Sequence, residues 1–144
     1  ELIFAGIPVG KWLHPPAQPI PSRPEKGSVM VILATDAPLD SRQLHRLCVR
    51  AGAGLARTGS HIGHGSGDFV IAFSTARRIL HWPESLTETA QVLADEGQAM
   101  AGLFPAVVEA VEEAVLNSLC AATTTTGRDS HIRYALPVEK IPRE

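Results

Sequence analysis

Few features of this sequence are scarce enough to exclude a class of protein, and those few come first. Cysteine occurs only twice, as Cys48 and Cys120. A disulfide framework needs more cysteines in a smaller chain. Both lie in apolar-periodic segments, so two buried thiols are expected. Charge of one sign is not in excess: 13 Lys and Arg face 15 Asp and Glu, for a formal net charge of -2. No basic stripe is present, so no nucleic-acid partner is expected. Long hydrophobic runs are absent too. The longest, Val29 to Ala34, is far short of the ~20 apolar residues that span a bilayer, and no membrane partner is expected. No signal peptide is visible. Residue 1 is Glu rather than Met, so the chain reads as a piece of a longer precursor. A cytoplasmic location is expected, with the periplasm left open.

What remains is ordinary globular composition, 144 residues of which 44% are hydrophobic. That length suits one domain with a real core. Residues 1–27 differ from the rest. Leu2 to Ala5 suit a short strand with a turn at Gly6. Pro15, Pro16, Pro19, Pro21 and Pro24 then crowd one stretch. Each lacks an N–H and fixes φ, so the stretch reads as a linker running up to Lys26-Gly27-Ser28.

Val29 to Thr35 is continuous, apolar and largely β-branched, as in a strand buried on both faces. Asp40 precedes Gln43 by three residues, a capping-box spacing. Leu44, Leu47, Cys48, Ala51 and Leu55 then keep helical spacing to about Arg57. Gly52 and Gly54 lower the propensity of that helix but suit close packing on a sheet. Thr58 to Asp68 is a glycine-rich loop, and Phe69 to Thr75 a second buried-type strand. Leu86 to Leu103 is expected to be partly helical. Pro105 suits the first turn of a strong helix whose apolar face runs from Val107 to Leu119 and ends near Ala122. Glu109, Glu112 and Glu113 read as its solvated side. Thr123 to Gly127 is expected to be a turn and Arg128 to Glu144 a tail. Strands and helices alternate, so α/β layering is the expected class.

Two patterns carry chemistry. Gly27-Ser28 stands where a flexible linker meets an ordered strand. Gly27 lets an attacking group approach its carbonyl, and the strand holds the Ser28 hydroxyl. By itself the pair reads as a plain turn before a strand. Gly63-His64-Gly65-Ser66-Gly67-Asp68 enters the second strand. Ser66 and Asp68 are two apart and point the same way in extended backbone. A hydroxyl beside a carboxylate can polarise another nucleophile or hold an α-ammonium group. This pattern alone also fits a glycine turn capped by its own Asp. His61 and His64, with Asp68 nearby, offer zinc-type donors. No CxxC or HExxH pattern accompanies them.

Taken in order, the motifs resemble a known family. The run from Gly27 to Leu39 is similar to the start of the mature β-subunit in the L-aminopeptidase/D-esterase (DmpA-like) and β-aminopeptidase family, peptidase family S58. The resemblance continues through Gly54 to Ser60, Gly65 to Asp68, Ala72 to Ala76, Leu103-Phe104, Glu109-Ala110, Glu112 to Ala114 and Thr126 to Asp129. Ala5 to Gly10 look like the end of the family's α-subunit.

The resemblance implies an αββα sandwich of the DmpA/ornithine acetyltransferase type, Ntn-hydrolase-like, with only its C-terminal portion present. It divides the chain into 1–27, the end of an α-subunit and the linker to a cleavage site, and 28–144, a β-subunit-like catalytic segment. It implies self-cleavage at Gly27-Ser28, with Ser28 as nucleophile. Ser66 would hydrogen-bond Ser28, and Asp68 would stabilise its α-ammonium or tune the serine network. Asp68 stands where some members carry Glu, and His64 where others often carry Asn. No metal or other cofactor is implied. The implied partners are a small peptide or amide substrate, the α-subunit part of the same precursor, which holds most oxyanion and pocket residues, and further αβ units in a homo-oligomer. The implied activity is a serine aminopeptidase releasing N-terminal residues from small peptides, amides or esters. Two alternatives stay open. One is an ornithine acetyltransferase-like acyltransferase, a class that typically uses Thr at the new N-terminus. The other is an inactive, unprocessed fragment.

Overall fold

A computed structural model describes residues 2–13 and 27–142. The proline-rich linker lies outside the described residues. The first segment docks on the rest through the Ile3 N–H, which donates to the Thr58 carbonyl at 3.0 Å. Phe4 and Ile7 exchange two backbone hydrogen bonds around Ala5 and Gly6. Both central residues have positive φ, 48° and 81°, as a two-residue hairpin turn requires. The expected strand at Leu2 to Ala5 is therefore an isolated bridge. Val9, in the 3-10 turn Val9–Lys11, is fully buried.

The body of the fold is one strand–helix–strand unit plus a long second helix. Strand β1 is Met30–Thr35, helix α1 Ser41–Arg57, strand β2 Phe69–Ser74 and helix α2 Gln98–Ala121. β1 and β2 pair in parallel, Met30 opposite Phe69 and Thr35 opposite Ser74. The crossover helix is what lets two parallel strands be neighbours. α1 starts on the expected capping box. Asp40 Oδ1 accepts from the Gln43 N–H at 2.7 Å, and Gln43 Oε1 accepts from the Asp40 N–H at 3.1 Å. Gln43 is buried, and its amide also donates to the Leu93 carbonyl at 2.6 Å and to Asp95 Oδ1 at 2.9 Å. The segment that leads into α2 is thereby anchored to the start of α1. After α1, Gly59 takes φ 92°, the left-handed backbone that suits a residue just past a helix end.

Both helices lie on one face of the sheet. Leu47, Ala51 and Leu55 from α1 meet Met100, Val107 and Val111 from α2, and Val31, Leu33 and Val70 pack beneath them. Fully burying one such side chain is worth about 1.5–3 kcal/mol. The two glycines of α1 pack on other elements than the expected sheet. A Cβ on Gly54 would lie 2.7 Å from the Val108 carbonyl oxygen and 2.7 Å from Val111 Cβ. Gly54 thus sets how closely α1 approaches α2, while Gly52 faces Ile62 of the following loop. At its C-terminal end α1 is tied to α2 by Arg57 and Glu112, 2.7 Å apart. Glu112 is therefore a partner of α1 rather than part of a solvated side.

Four further expectations are corrected. The strands alternate in burial: Met30, Ile32, Phe69, Ile71 and Phe73 are exposed on the face away from the helices. Continuous apolar sequence fits burial on both faces, and the described residues cover only one. Pro105 lies inside α2, which begins at Gln98 and absorbs the end of the preceding segment. Pro105 and Ala101, whose carbonyl loses its helical donor, are both exposed, which lowers the cost of the missing bond. Thr125–Thr126 and Ile132–Arg133 pair as a short antiparallel hairpin, β3 and β4, where a turn and tail were expected. Finally, Cys48 is half-buried and Cys120 exposed, because the buried residues of α2 end at Val111. Among the described residues, no helix is long and apolar enough to cross a membrane.

Candidate active site

The parallel register decides what meets at the N-terminal end of the sheet. Met30 stands opposite Phe69, and the Phe69 N–H continues the ladder to the Val29 carbonyl at 3.0 Å. Two residues further out, Ser28 falls opposite Gly67. The Gly67 N–H donates to Ser28 Oγ at 3.1 Å across 39 positions of sequence. Beside it, the Ser66 hydroxyl donates to Asp68 Oδ1 at 2.6 Å. A contact that short, from hydroxyl to carboxylate, is charge-assisted. Ser28 is exposed, while Ser66, Gly67 and Asp68 are half-buried.

All four sequence-predicted site residues thus gather at one end of two strands. Gly27 carries the carbonyl next to Ser28, and a Cβ there would meet nothing within 4 Å. One expected contact is different. A serine hydroxyl has a single proton to donate, and Ser66 gives it to Asp68 rather than to Ser28. The group that reaches Ser28 is the backbone of Gly67. Sequence reasoning missed this donor, because it becomes visible only once the register is known.

The loop that delivers Ser66 to Asp68 is held at several points. The Ser66 N–H closes a turn on the Gly63 carbonyl at 2.9 Å. Ile62 takes φ 48°, strained for a β-branched residue. Its N–H donates to Ser60 Oγ at 3.3 Å. His61 and His64 are exposed. Among the described residues, no three His, Cys, Asp or Glu side chains lie close enough to hold a metal ion. Two concave spaces lie elsewhere. One, of about 640 Å³, lies between β1 and α2, and another, of about 740 Å³, is lined by Pro38, Leu44, Arg77 and Val92. Neither is lined by Ser28, Ser66 or Asp68.

An exposed serine at the entry to one strand, met by a Ser-Gly-Asp loop at the entry to its parallel neighbour, is the arrangement to compare with known proteins. The model of peptidase family S58 matches residues 1–133. The chain belongs to peptidase family S58. It has an α/β fold of the Ntn-hydrolase type, as do its solved structural neighbours among the aminopeptidases. It is 36% identical to the L-aminopeptidase D-Ala-esterase/amidase of Ochrobactrum anthropi, described as a prototype for the serine aminopeptidases and a variant of the Ntn hydrolase fold. That match has a TM-score of 0.82 and covers 96% of this chain and 37% of the other. The PH0078 protein of Pyrococcus horikoshii OT3 is 49% identical, with a TM-score of 0.81 over 96% of this chain and 36% of that one. The beta-peptidyl aminopeptidase BapA of Sphingosinicella xenopeptidilytica is 34% identical over 99% of this chain. The chain spans 38% of the length of that curated relative.

Proposed function

We propose that this S58 chain is the nucleophile-bearing part of a serine aminopeptidase that matures by cutting its own Gly27-Ser28 bond. The observation that carries the reading is the 3.1 Å contact between Ser28 Oγ and the loop holding the Ser66–Asp68 pair. The names of the relatives support the substrate class: N-terminal residues of small peptides, amides or esters.

In the precursor, Ser28 Oγ attacks the Gly27 carbonyl carbon. The C–N bond breaks as the C–O bond forms, the nitrogen takes a proton, and an ester links the two segments. This shift frees the Ser28 α-amine, and water then hydrolyses the ester, releasing the Gly27 carboxylate and restoring the Ser28 hydroxyl. Before the shift the α-nitrogen is an amide and has no basic lone pair. Afterwards it is an amine with an ordinary pKa near ~8. It then accepts the hydroxyl proton as Oγ attacks a substrate carbonyl, and returns that proton to the leaving amine. Water releases the acyl group. Asp68 contributes a negative charge at the mouth of this network, which favours the α-ammonium form between the two proton transfers. Ser66 holds that carboxylate in place. Most oxyanion donors and pocket residues belong to the α-subunit part, and the finished enzyme is a homo-oligomer of αβ units.

Mass spectrometry of the intact gene product is the direct test. The expected result is a break after Gly27 that disappears in Ser28→Ala, together with activity on peptides and amides. An uncut wild type that is nonetheless active would overturn the reading.

A further inference from the structure

The geometry points to the backbone N–H of Gly67 as the donor that orients and polarises the Ser28 hydroxyl, and to residue 67 being glycine so that this side of Ser28 stays open to the carbonyl under attack. The inference rests on Ser28 being the nucleophile, and goes beyond it by assigning a role to the residue between Ser66 and Asp68.

Glycine is often required for its backbone or for space, and neither applies here. The described glycines with positive φ are Gly6 and Gly59, so the backbone at 67 is open to any residue. Packing does not demand glycine either. A Cβ at 67 would lie 3.5 Å from Ser28 Oγ and 3.7 Å from Phe69 Cε2. These are ordinary contacts, unlike the 2.7 Å overlaps at Gly54. The cost of a methyl is chemical. A carbonyl must come within roughly 3–3.5 Å of the attacking oxygen in near-attack geometry. A methyl at 3.5 Å already fills part of that shell.

The N–H has a matching role. It donates to Oγ, so the hydroxyl proton remains available to the base. As that proton leaves, negative charge grows on Oγ and the bond becomes charge-assisted. Because the donor is main chain, the β1–β2 register sets its position rather than a rotamer. The same donor serves self-cleavage and turnover, since both begin with Oγ attacking a carbonyl.

The test uses the intact gene product with two changes at residue 67. In one, Gly67 is replaced by glycolic acid, which turns the N–H into an ester oxygen. In the other, Gly67→Ala keeps the N–H and adds the methyl. Each is assayed on amide substrates with a small and a bulky acyl group, with kcat and KM read separately and Tm measured alongside. The ester should lose about ten- to a hundredfold in kcat, with KM within about twofold, because a hydrogen bond to a charged group is what disappears. Gly67→Ala should fold normally and lose much more kcat/KM on the bulky substrate than on the small one. A well-folded ester variant with unchanged kcat overturns the inference. So does a Gly67→Ala enzyme whose losses are equal on both substrates or absent, and that result decides alone if the ester does not fold. Ser28→Ala separates the two levels. If it stays active, the nucleophile reading falls. If it is dead while both residue-67 variants match the wild type, only the present inference falls.

Discussion

Two glycines close together in α1 should respond to alanine differently, one gaining stability and the other not. At either position, replacing Gly by Ala inside a helix is worth about 1 kcal/mol of propensity. At Gly52 the new Cβ meets only Ile62 Cδ1, at 3.8 Å, so the full gain is expected. At Gly54 it would sit 2.7 Å from the Val108 carbonyl oxygen, 2.7 Å from Val111 Cβ and 3.0 Å from Val111 Cγ1. Carbon atoms at their best separation are about 3.5–4.0 Å apart, so α2 must retreat by about 1 Å. That retreat loosens Leu47, Ala51, Leu55, Val107 and Val111 together. Overpacking of this kind costs typically ~1–3 kcal/mol. Net, Gly54→Ala should be neutral to about 2 kcal/mol destabilising, and about 1–3 kcal/mol below Gly52→Ala. Urea unfolding of both variants in one background reads the difference directly, provided the slopes agree. A Gly54→Ala protein as stabilised as Gly52→Ala would refute the close helix contact.

Other outcomes follow from the same contacts. Asp68→Asn removes the charge that Ser66 Oγ meets at 2.6 Å, and self-cleavage and turnover should each fall by about tenfold, as a charge-assisted bond becomes a neutral one. Ser66→Ala leaves Asp68 without its tether and should slow self-cleavage in a time course without a change in Tm beyond a few degrees. Asp95 is held below its ordinary pKa of 3.8 by its hydrogen bond from Gln43 and then by that from Arg42. A carboxylate depressed in the folded state stabilises fully above its unfolded pKa, and that contribution is lost as pH falls through the folded value. Asp95→Asn should therefore lower stability near neutral pH and flatten its acid limb, as followed by thermal melts between about pH 2 and 7.

Much of the local structure was written in local sequence. The capping box at Asp40 and Gln43, the two apolar strands and the helical spacing of Leu47, Ala51 and Leu55 each depend on neighbours within a few residues. Such signals survive folding because the competing forces are local as well. Pro105 misled for the complementary reason. Its preference for a first turn is weak beside the packing of Met100 and Val107 on the core, which extends α2 back to Gln98. Cys120 misled because apolar periodicity marks a helix face, whereas burial depends on how far the opposing helix reaches.

The site divides along the same line. Ser28, Ser66 and Asp68 were candidates from their residue types and order, since a hydroxyl at a strand entry and a hydroxyl–carboxylate pair have legible chemistry. That Gly67 rather than Ser66 reaches Ser28 was decided by the parallel pairing of β1 with β2. A one-residue slip in that pairing would have changed the partner. The sequence by itself determined which groups were available. Only the tertiary structure decided which of them touch, because contacts across 39 residues depend on register and on the packing that holds it.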